Sequence, residues 1–369
     1  LIIKYFKFLV LSEFDSMDLK DGVKTSENKV SDETHELSSF VKDKSKSLVD
    51  RLESYEDIIN LEVGDTGLNR AKTLEREYGI RKLFIKYEGD NPTGTQKDRI
   101  AFAQIYDALR REYEVVSLAT CGNYGVAVAL AANLAGMQCK IYIPESYHTD
   151  RIVEMEALQA EIIRLPGSYE EVVVKSSALA VANDWYDANP GGSNTPLQIS
   201  AYSQIAFEIY DDLGDAPKYC AVPVSNGTLF AGIYRGFVSL YKRGKTSGIP
   251  KMIAASSTKK NPIVQSFLLG LDHCKDLDPE TIKETKYNEP LINWHSFDGE
   301  EALYALRESG GQAFNISDKK LKNMTAILAK KEGFRILPAA TAGLIALLEM
   351  DETLNFEPGR FVAVLTAKN

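Results

Sequence analysis

The stretch Val115-Val116-Ser117-Leu118-Ala119-Thr120-Cys121-Gly122-Asn123-Tyr124-Gly125 decides the fold class. Val115 to Ala119 reads as a buried strand. The glycine-bearing turn after it feeds an Ala/Val/Leu-rich helix over about Val126 to Ala135. A strand and a helix both lacking a polar face belong to a sheet covered on both sides. Reading outward, the alternation persists. Lys140 to Ile143 is a strand, His148 to Gln159 a helix, Glu161 to Leu165 a strand and Tyr169 to Trp185 a helix. Upstream, Leu83-Phe84-Ile85-Lys86-Tyr87-Glu88 reads as a strand, and Ile100 to Leu109 as a helix. A second round starts at Tyr219-Cys220-Ala221-Val222-Pro223-Val224. It runs through a helix from about Leu229 to Tyr241, the strand Met252 to Ala255, a helix from about Thr341 to Met350 and a last strand, Phe361 to Leu365. Between the rounds, Asn189-Pro190-Gly191-Gly192-Ser193-Asn194 is the strongest Pro/Gly punctuation and reads as a crossing or a long loop. The pattern is that of an α/β protein with mostly parallel sheets.

Length and composition set the outer limits. With 369 residues, 44% hydrophobic and 26% charged, the chain is an ordinary globular protein with room for two domains. A net charge of -9 argues against a general nucleic-acid binder. Cys121, Cys139, Cys220 and Cys274 are widely spaced, and no His-Glu-x-x-His spacing occurs, so no metal site is expected and a reducing, cytoplasmic setting is. The opening Leu1 to Leu11 is too short to span a bilayer, and no membrane association is expected. About Asp15 to Ser47 is rich in Lys, Asp, Glu and Ser and reads as a flexible or loosely docked leader.

Three loops carry candidate chemistry. Asn91-Pro92-Thr93-Gly94-Thr95-Gln96-Lys97-Asp98-Arg99 delivers Lys97 to a helix start at a sheet edge, where the positive helix end disfavours the ammonium. Thr120-Cys121-Gly122-Asn123-Tyr124-Gly125 opens a helix whose first amides favour a carboxylate, although Asn123 as a simple helix cap is the plainer alternative. Ser225-Asn226-Gly227-Thr228 also opens a helix and reads as a phosphate cradle. Neither a P-loop nor a dinucleotide fingerprint is present. An amine, a phosphate cradle and a second anion site are together what a pyridoxal-phosphate enzyme needs.

With those residues in view, the chain from about Val63 to Thr366 resembles the fold type II (β-family) pyridoxal-phosphate enzymes, which include threonine synthase, cysteine synthase, tryptophan synthase β and the serine/threonine dehydratases. The lysine loop resembles N-P-T-G-[ST]-x-K-D-R, which implies that Lys97 carries the internal aldimine with pyridoxal 5'-phosphate. The second loop resembles S-S-G-N-x-G. That implies Asn123 at the cofactor's 3'-oxygen, and substrate carboxylate binding by Thr120, Cys121, Gly122, Asn123 and Tyr124. Ser225, Asn226, Gly227, Thr228 and Leu229 stand in the place of the phosphate loop, and Thr366 matches the hydroxyl facing the pyridine nitrogen.

The resemblance implies two three-layer αβα domains with mostly parallel sheets, as in tryptophan synthase β. They are residues 50–87 with 201–369 as the larger, residues 88–200 as the smaller mobile one, and residues 1–49 as a leader. It also implies a homodimer. Asn261-Pro262-Ile263-Val264-Gln265-Ser266-Phe267, Glu301 to Gly311 and Glu332 to Ala342 lean toward threonine synthase. The expected activity is therefore that of a lyase on a small amino acid with a β- or γ-leaving group, O-phosphohomoserine first. Cysteine or cysteate synthase-like β-replacement and serine/threonine dehydration are alternatives, and a non-catalytic paralogue ranks behind them. Lys259 and Lys260 are candidates for a substrate phosphate. The chain departs from the family pattern at Gly67, Gln96, Cys121, Tyr124 and Leu337, which puts the substrate in question.

Overall fold

A computed structural model describes residues 30–120, 122–147, 149, 151–353 and 359–369. The opening Leu1 to Leu11, Cys121 and His148 lie outside the described residues.

The chain begins with α1 (Asp32–Lys42) and α2 (Leu48–Glu62), then β1 (Leu68–Arg70), α3 (Lys72–Tyr78) and β2 (Leu83–Tyr87). It continues with α4 (Lys97–Arg110), β3 (Val115–Ala119), α5 (Asn123–Ala135), β4 (Gln138–Pro144), α6 (Arg151–Ala157), β5 (Glu161–Leu165), α7 (Tyr169–Ala182) and β6 (Tyr186–Asp187). Next come α8 (Thr195–Leu213), β7 (Tyr219–Pro223), α9 (Thr228–Lys242), β8 (Lys251–Ser257), α10 (Pro262–Leu268) and α11 (Gly299–Glu308). The last elements are β9 (Gln312–Ile316), α12 (Asp318–Lys331), α13 (Ala342–Thr353) and β10 (Phe361–Leu365).

Two sheets result. One has the order β5-β4-β3-β6, with every pairing parallel. The other has the order β1-β2-β10-β7-β8-β9, parallel except for β1 at its edge. The chain leaves the larger sheet after β2, builds the smaller one, and returns at β7. Its last strand then enters between β2 and β7, with Leu365 beside Tyr87 and Val362 beside Cys220. β7 and β10 are buried along their whole length, as continuous apolar strands in a covered parallel sheet must be.

α5 has no polar face, and its residues from Tyr124 to Ala135 are all buried, so it needs cover on every side. Part of that cover comes from residues read in the sequence as a loose leader. Residues 32–42 form α1, capped by Ser31, whose side chain accepts from the Thr34 amide. Ser38 donates to the Leu134 carbonyl at 2.8 Å, and Tyr55 of α2 donates to that of Ala131 at 3.1 Å. Only Thr34, Ser38 and Val41 of α1 are buried, a stripe too narrow to stand out in so polar a sequence.

α8 is the main helix that the sequence pattern did not reveal. It follows the 189–194 crossing and lies directly on α9, where two glycines permit the approach. A Cβ on Gly232 would sit 2.5 Å from the Tyr202 Cβ, and one on Gly236 would sit 2.6 Å from the Ser203 carbonyl oxygen.

Candidate active site

The loops of interest leave the C-terminal ends of parallel strands. The lysine loop follows β2, the Asn123 loop follows β3, the cradle follows β7, and the tail at Thr366 follows β10. These ends face one cleft of about 920 Å³, lined among others by Lys97, Asn123, Tyr124, Gly227, Thr228 and Thr366. Open α/β sheets bind ligands in this position.

The lysine loop is held from both ends. Asp98, fully buried, accepts from the Thr93 amide at 2.9 Å and the Thr93 hydroxyl at 2.8 Å, which closes the turn. Arg99 grips Glu88 through Nε and Nη2, at 2.6 and 2.9 Å, and Glu208 of α8 through Nη1 and Nη2, at 2.6 and 2.8 Å. Lys86 joins Glu208 at 2.5 Å, and the Thr66 hydroxyl donates to Glu88 at 2.7 Å. Thr66, next to the departure at Gly67, thus braces the loop from behind. On the other side the tail crosses it: the Gln96 amide donates to the Thr366 carbonyl at 2.9 Å and the Lys368 amide to that of Gly94 at 2.9 Å. Gly94 has φ of 85°, and a Cβ there would lie 2.3 Å from the Lys368 side chain.

Lys97 is the first residue of α4, and its ammonium stands 5.1 Å from the centroid of the Tyr124 ring. Burial brings its pKa down to about 8, against the upward pull of Asp298. Tyr124 forms a fixed wall under the lysine. Its ring is buried, and its hydroxyl donates to the Ala188 carbonyl at 2.7 Å and meets the Gln104 side chain. Burial pushes the phenol far above its ordinary range, so it stays neutral.

Asn123 starts α5. Its Oδ1 accepts from Arg151 Nη2 at 2.7 Å, and Arg151 is held in turn by Glu154 at 2.6 Å. Since the guanidinium only donates, it fixes the amide oxygen towards itself and leaves the Asn123 NH2 to face an acceptor. Arg151 went unnoticed in the sequence, being 28 residues from Asn123.

Gly227, with φ of 101°, turns the cradle into α9. The first-turn amides of such a helix have no partner within it and favour an anion. Beneath the cradle lies Asp298, also missed in the sequence. It is 4% exposed, receives the hydroxyl hydrogens of Thr195 at 3.0 Å and of Thr228, and its own amide donates to the Asn226 carbonyl at 3.0 Å. Of the positions where the chain leaves the family pattern, Gln96, Tyr124 and Leu337 line the cleft. Lys259 and Lys260 do not line it, and Lys260 Nζ donates to the Lys283 carbonyl.

A half-buried amine with a lowered pKa, an anion cradle and a polar tail across one cleft fit a phosphorylated aldehyde cofactor. Fold and site together define an α/β enzyme of the fold type II architecture. The family model "Pyridoxal-phosphate dependent enzyme" matches residues 59–367, and the chain belongs to that family, being a pyridoxal-phosphate-dependent lyase. It is similar to the threonine synthase of Methanocaldococcus jannaschii, 31% identical over 297 residues, 79% of this chain and 72% of that one. The threonine synthase of Halalkalibacterium halodurans is 27% identical over 316 residues, 85% of this chain and 84% of that one. Among solved structures, maize serine racemase superposes with a TM-score of 0.68 at 19% identity, covering 87% of this chain and 94% of that one. The processed form of threonine deaminase isoform 2 of Solanum lycopersicum gives 0.68 at 18%, covering 87% and 90%. These two show the fold alone.

Proposed function

We propose that the chain carries out a threonine-synthase-type reaction on an amino acid with a β- or γ-leaving group, O-phosphohomoserine being the first substrate to test. The observation that carries this reading is the convergence of Lys97, the α5 start, the cradle at α9 and Thr366 on one cleft. The threonine synthases among its relatives support it.

Pyridoxal phosphate, when bound, supplies an aldehyde that condenses with amines and a ring that accepts electron density from the substrate's Cα. The chain's residues do the rest. Lys97 would hold the cofactor through its amine, and the same amine, when free, would be the base placed to take the Cα proton. Ser225 to Leu229 would hold the phosphate on the amides of the α9 start. Asn123, oriented by Arg151, would present its NH2 to an oxygen of the cofactor. Thr366 would offer the ring a neutral hydroxyl and no carboxylate, which suits elimination and replacement better than transamination. The loop of residues 120–124 would receive the substrate carboxylate, on the amides that open α5. The unit of residues 88–200 closes over the substrate, and the partners are a small amino acid and a second copy of the chain in a cytoplasmic homodimer. Among the described residues, no helix is long and apolar enough to cross a membrane.

A second reading, replacement at Cβ of a serine derivative, gains from one observation. Arg151 is committed to Asn123 and Glu154, and Lys259 and Lys260 lie off the cleft, so fewer cations await a substrate phosphate. To decide, the loaded protein is offered O-phosphohomoserine, O-phosphoserine, O-acetylserine, serine and threonine while absorbance and products are followed. Threonine and phosphate from O-phosphohomoserine support the first reading. A response confined to serine derivatives supports the second, and silence towards all of them contradicts both.

A further inference from the structure

Asp298 occupies the N-cap of α11 yet makes no side-chain cap to its own helix. An aspartate at that position ordinarily accepts from the helix's second or third amide. Here the carboxylate turns away and spans two other elements, taking the hydroxyl hydrogen of Thr228 at the cradle and that of Thr195 at the start of α8. Its backbone is fastened to the same loop. The Asp298 amide meets the Asn226 carbonyl at 3.0 Å, and a Cβ on Gly227 would lie 2.6 Å from the Asp298 carbonyl oxygen.

A threonine hydroxyl has one hydrogen to give. While Asp298 is ionised, Thr228 spends that hydrogen on it, and the hydroxyl offers a phosphate only lone pairs. A buried carboxylate beside an incoming dianion also costs free energy. Both conflicts vanish if the carboxyl carries a proton. It then donates to Thr228, and Thr228 turns its own hydrogen to the phosphate.

We propose that Asp298 is a positioning residue that takes one proton from solvent when the cofactor phosphate enters the cradle, and that it is a neutral hydrogen-bond donor in the loaded protein. The surroundings favour this. Burial already raises the carboxyl, and it outweighs the Thr228 hydroxyl from α9, the Thr195 hydroxyl from α8 and the Gly191 amide from the 189–194 crossing, which all favour the ionised form. Lys97 from α4 is the charged group acting against protonation. On its own helix, Glu300 is bonded to the Cys274 amide and Glu301 to Arg235.

The inference rests on Ser225–Leu229 being the phosphate site, and the test separates the two. The probe is pyridoxal 5'-phosphate added to the full-length apo protein. Calorimetry in two buffers of different ionisation enthalpy gives the protons taken up, and the phosphorus resonance of the bound cofactor reports its surroundings. Wild type is expected to take up about one proton more than Asp298→Asn, whose amide mimics the protonated acid. Asp298→Asn should bind within about threefold of wild type, whereas Asp298→Ala should bind at least tenfold more weakly. Equal proton uptake in wild type and Asp298→Asn, or Asp298→Asn binding as weakly as Asp298→Ala, overturns the proposal. A phosphorus resonance unmoved by either substitution instead overturns the cradle reading. Circular dichroism of the apo variants checks folding, so a loss of binding in a folded variant is read as a loss of the contact.

Discussion

At the scale of the residue, the site is governed by which groups are held neutral. Lys97, with its pKa brought to about 8 by burial, is mostly protonated below that value and mostly free amine above it. The rate at which apo protein captures pyridoxal phosphate should therefore rise as pH increases through about 8 and then level off. Stopped-flow absorbance checks this, and a rate still climbing steadily to pH 10 would place the reacting amine elsewhere. Arg151→Ala should release the Asn123 amide to flip, weakening cofactor binding by up to roughly 10–150-fold, the range for loss of a charged hydrogen bond. Arg151→Lys should recover part of that loss. Lys97 and Asn123 were legible in the sequence because each stands at a strand–turn–helix junction, where local pattern and chemistry coincide. Arg151 and Asp298 were not: the first looks like an ordinary helix-start arginine, the second like an ordinary cap. Their meaning comes from partners 28 and 70 residues away.

Among the elements, the junctions matter more than the helices and strands they join. Gly227→Ala would strain a backbone at φ of 101° and push a methyl to within 2.6 Å of the Asp298 carbonyl. The expected result is a loss of about 1–3 kcal/mol of stability in thermal melts, with weaker cofactor retention. The brace behind the lysine loop gives a second prediction. Glu208→Gln leaves Arg99 and Lys86 short of an anion in a buried setting, at a cost of about 3–5 kcal/mol by denaturant unfolding. Burial alone would raise the Glu208 pKa, yet Arg99 and Lys86 bring it down to about 2 from 4.5. Its contribution is therefore complete above about pH 4.5 and is lost as pH falls towards 2, and the Glu208→Gln variant should show a shallower acid decline over that window. The brace itself was hidden. Arg99 stood out in the sequence only as a motif letter, because its partner Glu208 lies on a helix whose mixed polar and apolar pattern gave no clear period.

Over the whole molecule, alternation of short apolar strands and helices exposed both sheets, since strands covered on two faces read as continuous apolar runs. The entry of β10 between β2 and β7 could not be read, because strand order is decided by long-range pairing that leaves no local mark. Yet that entry is what brings Thr366 to the lysine loop. The polar helix α1 escaped notice for the converse reason, as its role is to cover a helix that is apolar all round. The architecture thus gathers loops from the ends of β2, β3, β7 and β10 around one cleft, and the account stands on Lys97 being the amine presented there. The direct measurement is to load the protein with pyridoxal phosphate, reduce it with borohydride, digest it and locate the modified lysine by mass spectrometry. The expected result is one stoichiometric adduct on Lys97, absent from Lys97→Ala, which should also lose roughly 10²–10⁴-fold in turnover. An adduct on another lysine, or a Lys97→Ala protein labelled as fully as wild type, would contradict it.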